Sequence, residues 1–164
     1  MGKWIISEIH TEEKPFIRQL AKQNWGSSRM IVHGDVYDLA DQSGFLARNG
    51  EKILGMLTWR GAFKQEIELL SLDSFFENRG MGTDLLNRLK ELAVAKQAKR
   101  IFLTTTNDNL RALRFYQKRG FTICGLRLNA VNKAREIEPE IPLKNEEGIA
   151  IEHELDLEYR LSEG

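Results

Sequence analysis

Hydrophobic residues recur with two different periods along this chain, and the change of period separates strands from helices. Alternating or short apolar runs predict strands over residues 4–9, 44–48, 52–60, 63–73, 100–106, 121–131 and 149–161. Apolar positions three or four apart predict helices over residues 11–25, 81–96 and 109–118. Residues 27–42 are interrupted by glycine and aspartate, and we expect a loop there with one helical turn.

Residues with strong local preferences set the ends of these elements. Thr11 and Asn109 are expected to cap the first and third helices, and Gly120 to end the third. Asn49-Gly50 predicts a two-residue hairpin turn. Two prolines in residues 136–142 predict an extended acidic connection before the last strand.

The order of elements predicts one domain over residues 1–164 with a mixed α/β fold. A mostly antiparallel central sheet of about seven strands would be flanked by helices. An antiparallel meander comes first, and the crossover through helix 81–96 places strand 100–106 parallel to strand 63–73.

Charge and cysteine content exclude several classes of protein. The chain carries 24 basic and 24 acidic residues, so no overall charge attracts nucleic acid or anionic lipid. The single cysteine, Cys124, fits a reducing cytoplasm and is expected in the core. The amino-terminal apolar patch is too short for a signal peptide or membrane span. We therefore predict a cytoplasmic protein that partners neither nucleic acid nor membrane.

The segment from Leu72 and Asp73 to Gly80, Met81, Gly82 and Thr83 joins a strand to the long helix through a glycine-containing turn. Such a turn lets phosphate approach the backbone at the positive end of a helix dipole. Leu85 stands where a dinucleotide fingerprint needs its third glycine, and the P-loop pattern is absent from the sequence. A simple turn is the alternative.

A second motif follows one strand later. Asn109, Ala112, Tyr116, Gly120 and Phe121, taken with the two glycines of the turn, resemble the signature of the GCN5-related N-acetyltransferase (GNAT) family. This resemblance implies the GNAT fold and acetyl-CoA as cofactor, bound at the glycine turn. Glu77 departs from the family pattern, which has Gln or Arg there, and Arg79 is expected to supply positive charge nearby.

The resemblance also implies how an acetyl group moves to an amine. A main-chain N–H at the end of the fourth strand, that of Leu72, would polarise the thioester carbonyl. Tyr116 matches the family tyrosine that protonates the departing thiolate, a step suited to a phenol, whose usual pKa is about 10. The alternative is that Tyr116 only packs in the core.

An ammonium acceptor must also lose a proton. Glu66 and Glu68 lie on one face of strand 63–73 and are the candidate bases, with Glu68 preferred; solvated or ion-paired glutamates are the alternative. Asn109 would bind the pantetheine arm, cap its helix, or both.

The resemblance implies a small-molecule or peptide amine as acceptor, contacted by residues 25–32 and by the strands around Arg127, where the family places its variable acceptor contacts. No metal site is predicted, because the three histidines lack ligand spacing. A homodimer remains open. The competing functions are a non-catalytic acyl-CoA sensor and a purely structural protein.

Overall fold

The computed structural model describes residues 3–32, 35–62, 65–75 and 80–161. The strands are β1 (Ile5–Glu8), β2 (Arg29–Val32), β3 (Asp35–Asp38), β4 (Ser43–Asn49), β5 (Lys52–Ala62), β6 (Glu66–Ser74), β7 (Arg100–Thr106), β8 (Thr122–Arg127) and β9 (Glu154–Arg160). The α-helices are α1 (Lys14–Trp25), α2 (Met81–Ala95), α3 (Leu110–Lys118) and α4 (Ala130–Ile137).

Seven of these strands form one sheet in the order β1-β4-β5-β6-β7-β9-β8, and β2 and β3 form a separate pair. The β1–β4, β4–β5, β5–β6 and β8–β9 pairs are antiparallel. The predicted mixed fold with a mostly antiparallel sheet of about seven strands is therefore confirmed. The neighbouring positions of β6 and β7 agree with a crossover through α2.

The chain divides into two compact units, which we describe separately. The first unit comprises Met1–Met30, Tyr37–Ile101 and Leu161–Gly164. The second comprises Ile31–Val36 and Phe102–Arg160. The expectation of a single domain stays a prediction.

In the first unit, α1 and α2 cover opposite faces of the β4–β5–β6 meander. One face carries the fully buried cluster of Ile17, Ala40, Leu46 and Met56. The other face receives α2 so closely that a Cβ on Gly55 would lie 2.6 Å from Met81 Sδ. Gly55 and Met56 are consecutive on β5, so their side-chain directions assign the two faces.

Between two consecutive paired positions, β6 has one residue more than β5. Ser71 pairs with Thr58 but Leu69 pairs with Trp59, which makes Leu70 the extra residue of a β-bulge. The bulge shifts the alternation of side chains by one position. As a result Glu66, Glu68, Ser71 and Asp73 share the α1-side face.

In the second unit, α3 ends beside an aromatic cluster. Phe121 follows the helix and packs edge-on against Tyr116, with ring centres 5.4 Å apart, and at a tilt of 35° against Tyr159 of β9, with ring centres 5.5 Å apart. A Cβ on Gly120 would lie 3.3 Å from the Tyr159 ring, and its φ of 95° suits glycine. These contacts fix the end of the helix.

Several sequence predictions were wrong in detail. In the described parts of residues 27–42, the expected helical turn is present as the 3-10 turn Leu39–Asp41, but β2 and β3 take the place of the expected loop. Thr11 lies inside a 3-10 turn, Thr11–Glu13, and does not cap α1. The hairpin turn is Gly50-Glu51, one residue later than predicted, because Asn49 already pairs with Lys52.

The predicted strands over 121–131 and 149–161 are both shorter. Asn129 adopts a left-handed conformation with φ of 61° and starts α4, which buries Val131 and Ala134. Residues 149–153 precede β9, because Asn107 binds their backbone in place of a strand partner. Cys124 is exposed, contrary to the core prediction, because it is the extra residue between Ile123 and Gly125 on β8.

Candidate functional site

The glycine turn opens α2 as predicted. Gly80 is its N-cap, with φ of 105° and ψ of 0°, and its carbonyl accepts the first helical hydrogen bond from Asp84 N at 2.9 Å. The leading N–H groups of a helix have no acceptor within it, so those of Met81 and Gly82 can bind an anion. Arg79 and Glu77 lie outside the described residues, and Thr83 follows within the first turn.

The surroundings of Gly80 fit a phosphate. Among the described residues, a Cβ built there would meet nothing within 4 Å, which leaves open space on that side of the turn. The acidic residue of the first turn, Asp84, accepts a hydrogen bond at 3.0 Å from Trp4 Nε1. This bond gives the Asp84 carboxylate a hydrogen-bond donor within the first unit.

Polar side chains form a column along the α1-side face of β6, and most of them have partners. Glu66 binds Arg100 at 2.6 Å, and Glu68 binds Arg60 at 2.7 Å. Further along, Ser71 Oγ lies 2.5 Å from Thr58 Oγ1. Both predicted bases are thus on one face, as expected, and both are engaged by arginine.

The Glu68 pair is the more buried of the two. Glu68 is only 1% exposed, while the Arg60 guanidinium lies 4.1 Å from the centre of the Tyr37 ring. Burial opposes the charge of Arg60, but the hydrogen bond and charge of Glu68 outweigh it and raise the pKa of Arg60. Arg60 is therefore held in its charged form.

Asp73 ends the column and differs from its neighbours. Burial raises the pKa of its carboxyl to about 6, and no charge or hydrogen bond in the described part of the chain offsets this effect. Its partner position across the ladder is Met56, which is fully buried. Sequence reasoning selected Asp73 only as part of the phosphate turn and missed its side chain.

Asn109 and Tyr116 belong to the second unit. Asn109 caps α3, because its Oδ1 accepts a hydrogen bond from Ala112 N at 3.1 Å. The ring of Tyr116 is 8% exposed and packs between Phe115 and Phe121. The ring of Tyr116 therefore packs in the core, as the alternative interpretation held. The catalytic role of its hydroxyl stays a prediction.

Arg127 organises a charge cluster on the strands of the second unit. It binds Glu154 at 3.1 Å and also pairs with Asp156, whose hydrogen bond raises the pKa of the arginine despite burial. Thr104 donates to Asp156 at 2.7 Å. A Cβ on Gly125 would lie 2.9 Å from the Asp156 carboxylate, so glycine leaves room for this arrangement.

Other parts of the described chain offer less. A shallow groove of about 360 Å³ between β1 and α2 contains none of the predicted residues. Over residues 3–32, 35–62, 65–75 and 80–161, histidine, cysteine and acidic side chains form no group of three that could hold a metal. No helix within these ranges is long and apolar enough to cross a membrane.

The sequence model of the acetyltransferase (GNAT) family matches residues 5–121, which include the glycine turn, Asn109 and Tyr116. The chain belongs to the GNAT family. It is also 38% identical over 144 residues to the uncharacterized protein YxbD of Bacillus subtilis strain 168, covering 87% of this chain and 89% of that protein.

Solved structures share the GNAT fold over nearly the whole chain. An IAA acetyltransferase from Bacillus cereus ATCC 14579 superposes with a TM-score of 0.73 at 19% identity, covering 97% of this chain and 100% of that one. A GNAT family acetyltransferase from Elizabethkingia anophelis, with acetyl-CoA bound, gives 0.71 at 20% identity, covering 98% and 100%. These likenesses establish the fold of this GNAT chain.

Proposed function

We propose that this GNAT acetyltransferase uses acetyl-CoA to acetylate a primary amine of a small-molecule or peptide acceptor. The observation that supports it most is the left-handed Gly80 at the start of α2, which leaves backbone N–H groups and open space for a pyrophosphate. The capped α3 with Asn109 and Tyr116 supports the same family chemistry.

The residues proposed to hold the cofactor come from both motifs. They are the backbone of Leu72, Asp73, Gly80, Met81, Gly82 and Thr83, the side chain of Asn109, and Arg79. When bound, acetyl-CoA supplies the activated thioester.

The chain's own groups are proposed to manage charge and protons. The Leu72 N–H polarises the carbonyl that becomes an oxyanion. The Tyr116 hydroxyl donates a proton to the departing sulfur. The base is proposed to come from the carboxylates of β6, for which Glu66 and Glu68 are the sequence candidates; their arginine partners compete for the same oxygens. A cytoplasmic location and a homodimer remain predictions.

Titration calorimetry with acetyl-CoA tests the cofactor site first. Wild-type protein should bind, and Gly82→Trp should lose binding because the indole fills the turn. Absence of binding by folded wild-type protein would refute the acetyltransferase proposal. A circular dichroism spectrum of each variant checks that it is folded.

Tyr116→Phe tests the step after binding. The phenyl ring keeps the packing against Phe121, so acetyl-CoA affinity should persist while kcat for an amine falls by roughly 10²-fold or more. Unchanged kcat would remove the hydroxyl from the proposal. Binding without transfer to any amine would instead identify an acyl-CoA sensor.

A further inference from the structure

The carboxylate of Asp73 lies where the polar column of β6 meets an aromatic surface. Phe75 comes two residues after Asp73, and its N–H continues the ladder by donating to Leu54 O at 2.8 Å. Its ring packs against the cluster that contains Met56, the residue opposite Asp73. Asp73 and Phe75 therefore share a face, and their side chains are about 7 Å apart along the strand.

Trp25 extends this aromatic surface from the end of α1. Its ring centre lies 5.9 Å from that of Phe75, at an interplanar angle of 48°. The indole is 44% exposed, although a tryptophan with a purely structural role tends to be buried. An exposed indole beside a partly buried phenyl ring and a partly buried carboxylate has the chemistry that binds an alkylammonium ion, through the ring faces and the negative charge together.

We propose that Asp73, Phe75 and Trp25 form the site that binds the ammonium group of the acceptor, and that Asp73 removes its proton. This inference rests on the proposed function and deepens it, because it names the class of acceptor group and the base.

An alkylammonium acceptor must lose two protons to become an amide. The Asp73 carboxylate takes one proton from the ammonium ion and later releases it to water. The neutral amine forms a C–N bond to the acetyl carbon while the C–S bond breaks and its electron pair stays on sulfur. The second proton of the nitrogen replaces the one that Tyr116 gives to the sulfur, so the products are an amide and a thiol.

Asp73 suits this role better than the two glutamates. A base works best when its pKa lies near the working pH, and burial has raised the pKa of Asp73 to about 6. Glu66 and Glu68 are already hydrogen-bonded to Arg100 and Arg60. A proton acceptor on either would first have to lose its arginine partner.

Several other charged groups on this side of the meander are paired. α1 contributes Arg18, which binds Asp38 at 3.2 Å and Asp41 at 3.4 Å. β5 contributes Arg60, and β3 contributes Tyr37 beneath it. Of the three β6 carboxylates, Asp73 is the one without an arginine partner in the described part of the chain.

Binding is tested with tyramine, and with 4-ethylphenol as the same molecule without its amine. We expect NMR titration of wild-type protein at pH 7.5 to detect tyramine and not 4-ethylphenol. Asp73→Asn should weaken tyramine binding about tenfold or more, as expected for loss of a charged partner, and Trp25→Ala by about three- to fivefold.

Two matched variants serve as controls for binding. Phe16→Ala removes a similarly exposed aromatic ring of α1, and Asp41→Asn removes a carboxylate that pairs with Arg18 of α1. Both should bind tyramine like the wild type. Equal binding of tyramine by wild type and Asp73→Asn, or no binding by wild type, would overturn the inference, while acetyl-CoA calorimetry separately decides the proposed function.

The pH dependence of tyramine acetylation separates a base from a structural group. Wild-type kcat should rise through a pKa near 6, and Asp73→Asn should lose that limb, with kcat at pH 7 reduced by roughly 10²-fold. Its rate should recover as the pH approaches about 10, where the amine deprotonates in solution. Asp73→Glu should restore part of the low-pH limb. An unaltered profile in Asp73→Asn would refute the base, whether or not acetyl-CoA binds.

Discussion

Arg60 Nε lies 2.7 Å from Glu68 Oε1, and the same guanidinium lies over the ring of Tyr37. The pair connects β5 and β6 two residues before the bulge at Leu70. Its buried member is the glutamate, which is 1% exposed, whereas the arginine side chain is 33% exposed. The geometry makes Glu68 a structural carboxylate whatever it contributes to chemistry.

Removing the carboxylate should reveal this structural contribution. Glu68→Ala leaves the Arg60 charge without its partner and should lower the free energy of unfolding by about 3 kcal/mol. Urea denaturation measures it, and a double-mutant cycle with Arg60→Ala isolates the pair. Glu91→Ala on α2, where an exposed glutamate lies 3.5 Å from Arg88, should cost under about 0.5 kcal/mol. Equal losses in the two variants would contradict the assignment.

Asp73 should make stability depend on pH. Its pKa is raised from 3.8 to about 6, so the folded state binds the proton more tightly than the unfolded state does. The stabilisation is fully present below pH 3.8 and is lost as the pH rises through about 6. The free energy of unfolding of Asp73→Asn, taken relative to that of wild type, should therefore be about 1 to 3 kcal/mol higher at pH 8 than at pH 4. Urea denaturation at each pH measures this free energy. The same pH dependence in wild type and Asp73→Asn would contradict this linkage.

The backbone of Gly80 can be tested apart from its surroundings. Gly80→Ala forces a side chain into a left-handed conformation, which should cost about 1 to 2 kcal/mol and weaken acetyl-CoA binding by distorting the start of α2. Gly50→Ala is the matched control, because Gly50 also has positive φ and open space around it. That variant should lose similar stability in thermal unfolding and keep its affinity in calorimetry. If both variants bind acetyl-CoA normally, the turn does not form the phosphate site.

Asn107 should be needed for the segment before β9. Its Oδ1 accepts from the N–H groups of Glu152 and His153, both at 2.9 Å, and its Nδ2 donates to Ala150 O at 2.8 Å. Asn107→Ala leaves these groups unsatisfied and should cost about 2 to 3 kcal/mol.

Hydrogen exchange provides the local measurement for Asn107. The amides of Glu152 and His153 should exchange faster in Asn107→Ala than in wild type. Asn87→Ala, at an exposed position of α2 in the first unit, should change neither stability nor these amides. Unchanged exchange in Asn107→Ala would show that the segment holds itself in place.

Elements with their own periodicity were predictable from sequence, and elements defined by distant partners were not. α2 was predicted within one residue because Met81, Leu85, Leu86 and Leu89 repeat along a helical face that is buried in the fold. Residues 149–153 alternate like a strand, yet the side chain of Asn107, more than 40 positions away, occupies their hydrogen-bonding groups. Alternation reports which side chains face inward, not which group bonds the backbone.

The same division applies to the candidate site. The glycine turn and the cap at Asn109 depend on local conformation, so residue type and spacing were sufficient to locate them. The pairing of Glu68 with Arg60 and the desolvation of Asp73 depend on strand register and on packing by α1. No local pattern in the sequence encodes either one.

The extra residue on β6 has a consequence for comparing this chain with its relatives. Glu68 and Asp73 are five positions apart, an odd number that a regular strand would place on opposite sides of the sheet. Leu70 restores them to one side. A relative whose strand keeps the same number of residues but pairs without a bulge would present the residue aligned with Asp73 to α2 and the residue aligned with Leu72 to α1, with every element still in place. An alignment without gaps across residue 70 would then equate two carboxylates that lie on opposite faces of the sheet. Whether a relative shares the acidic residue must therefore be judged from its strand register.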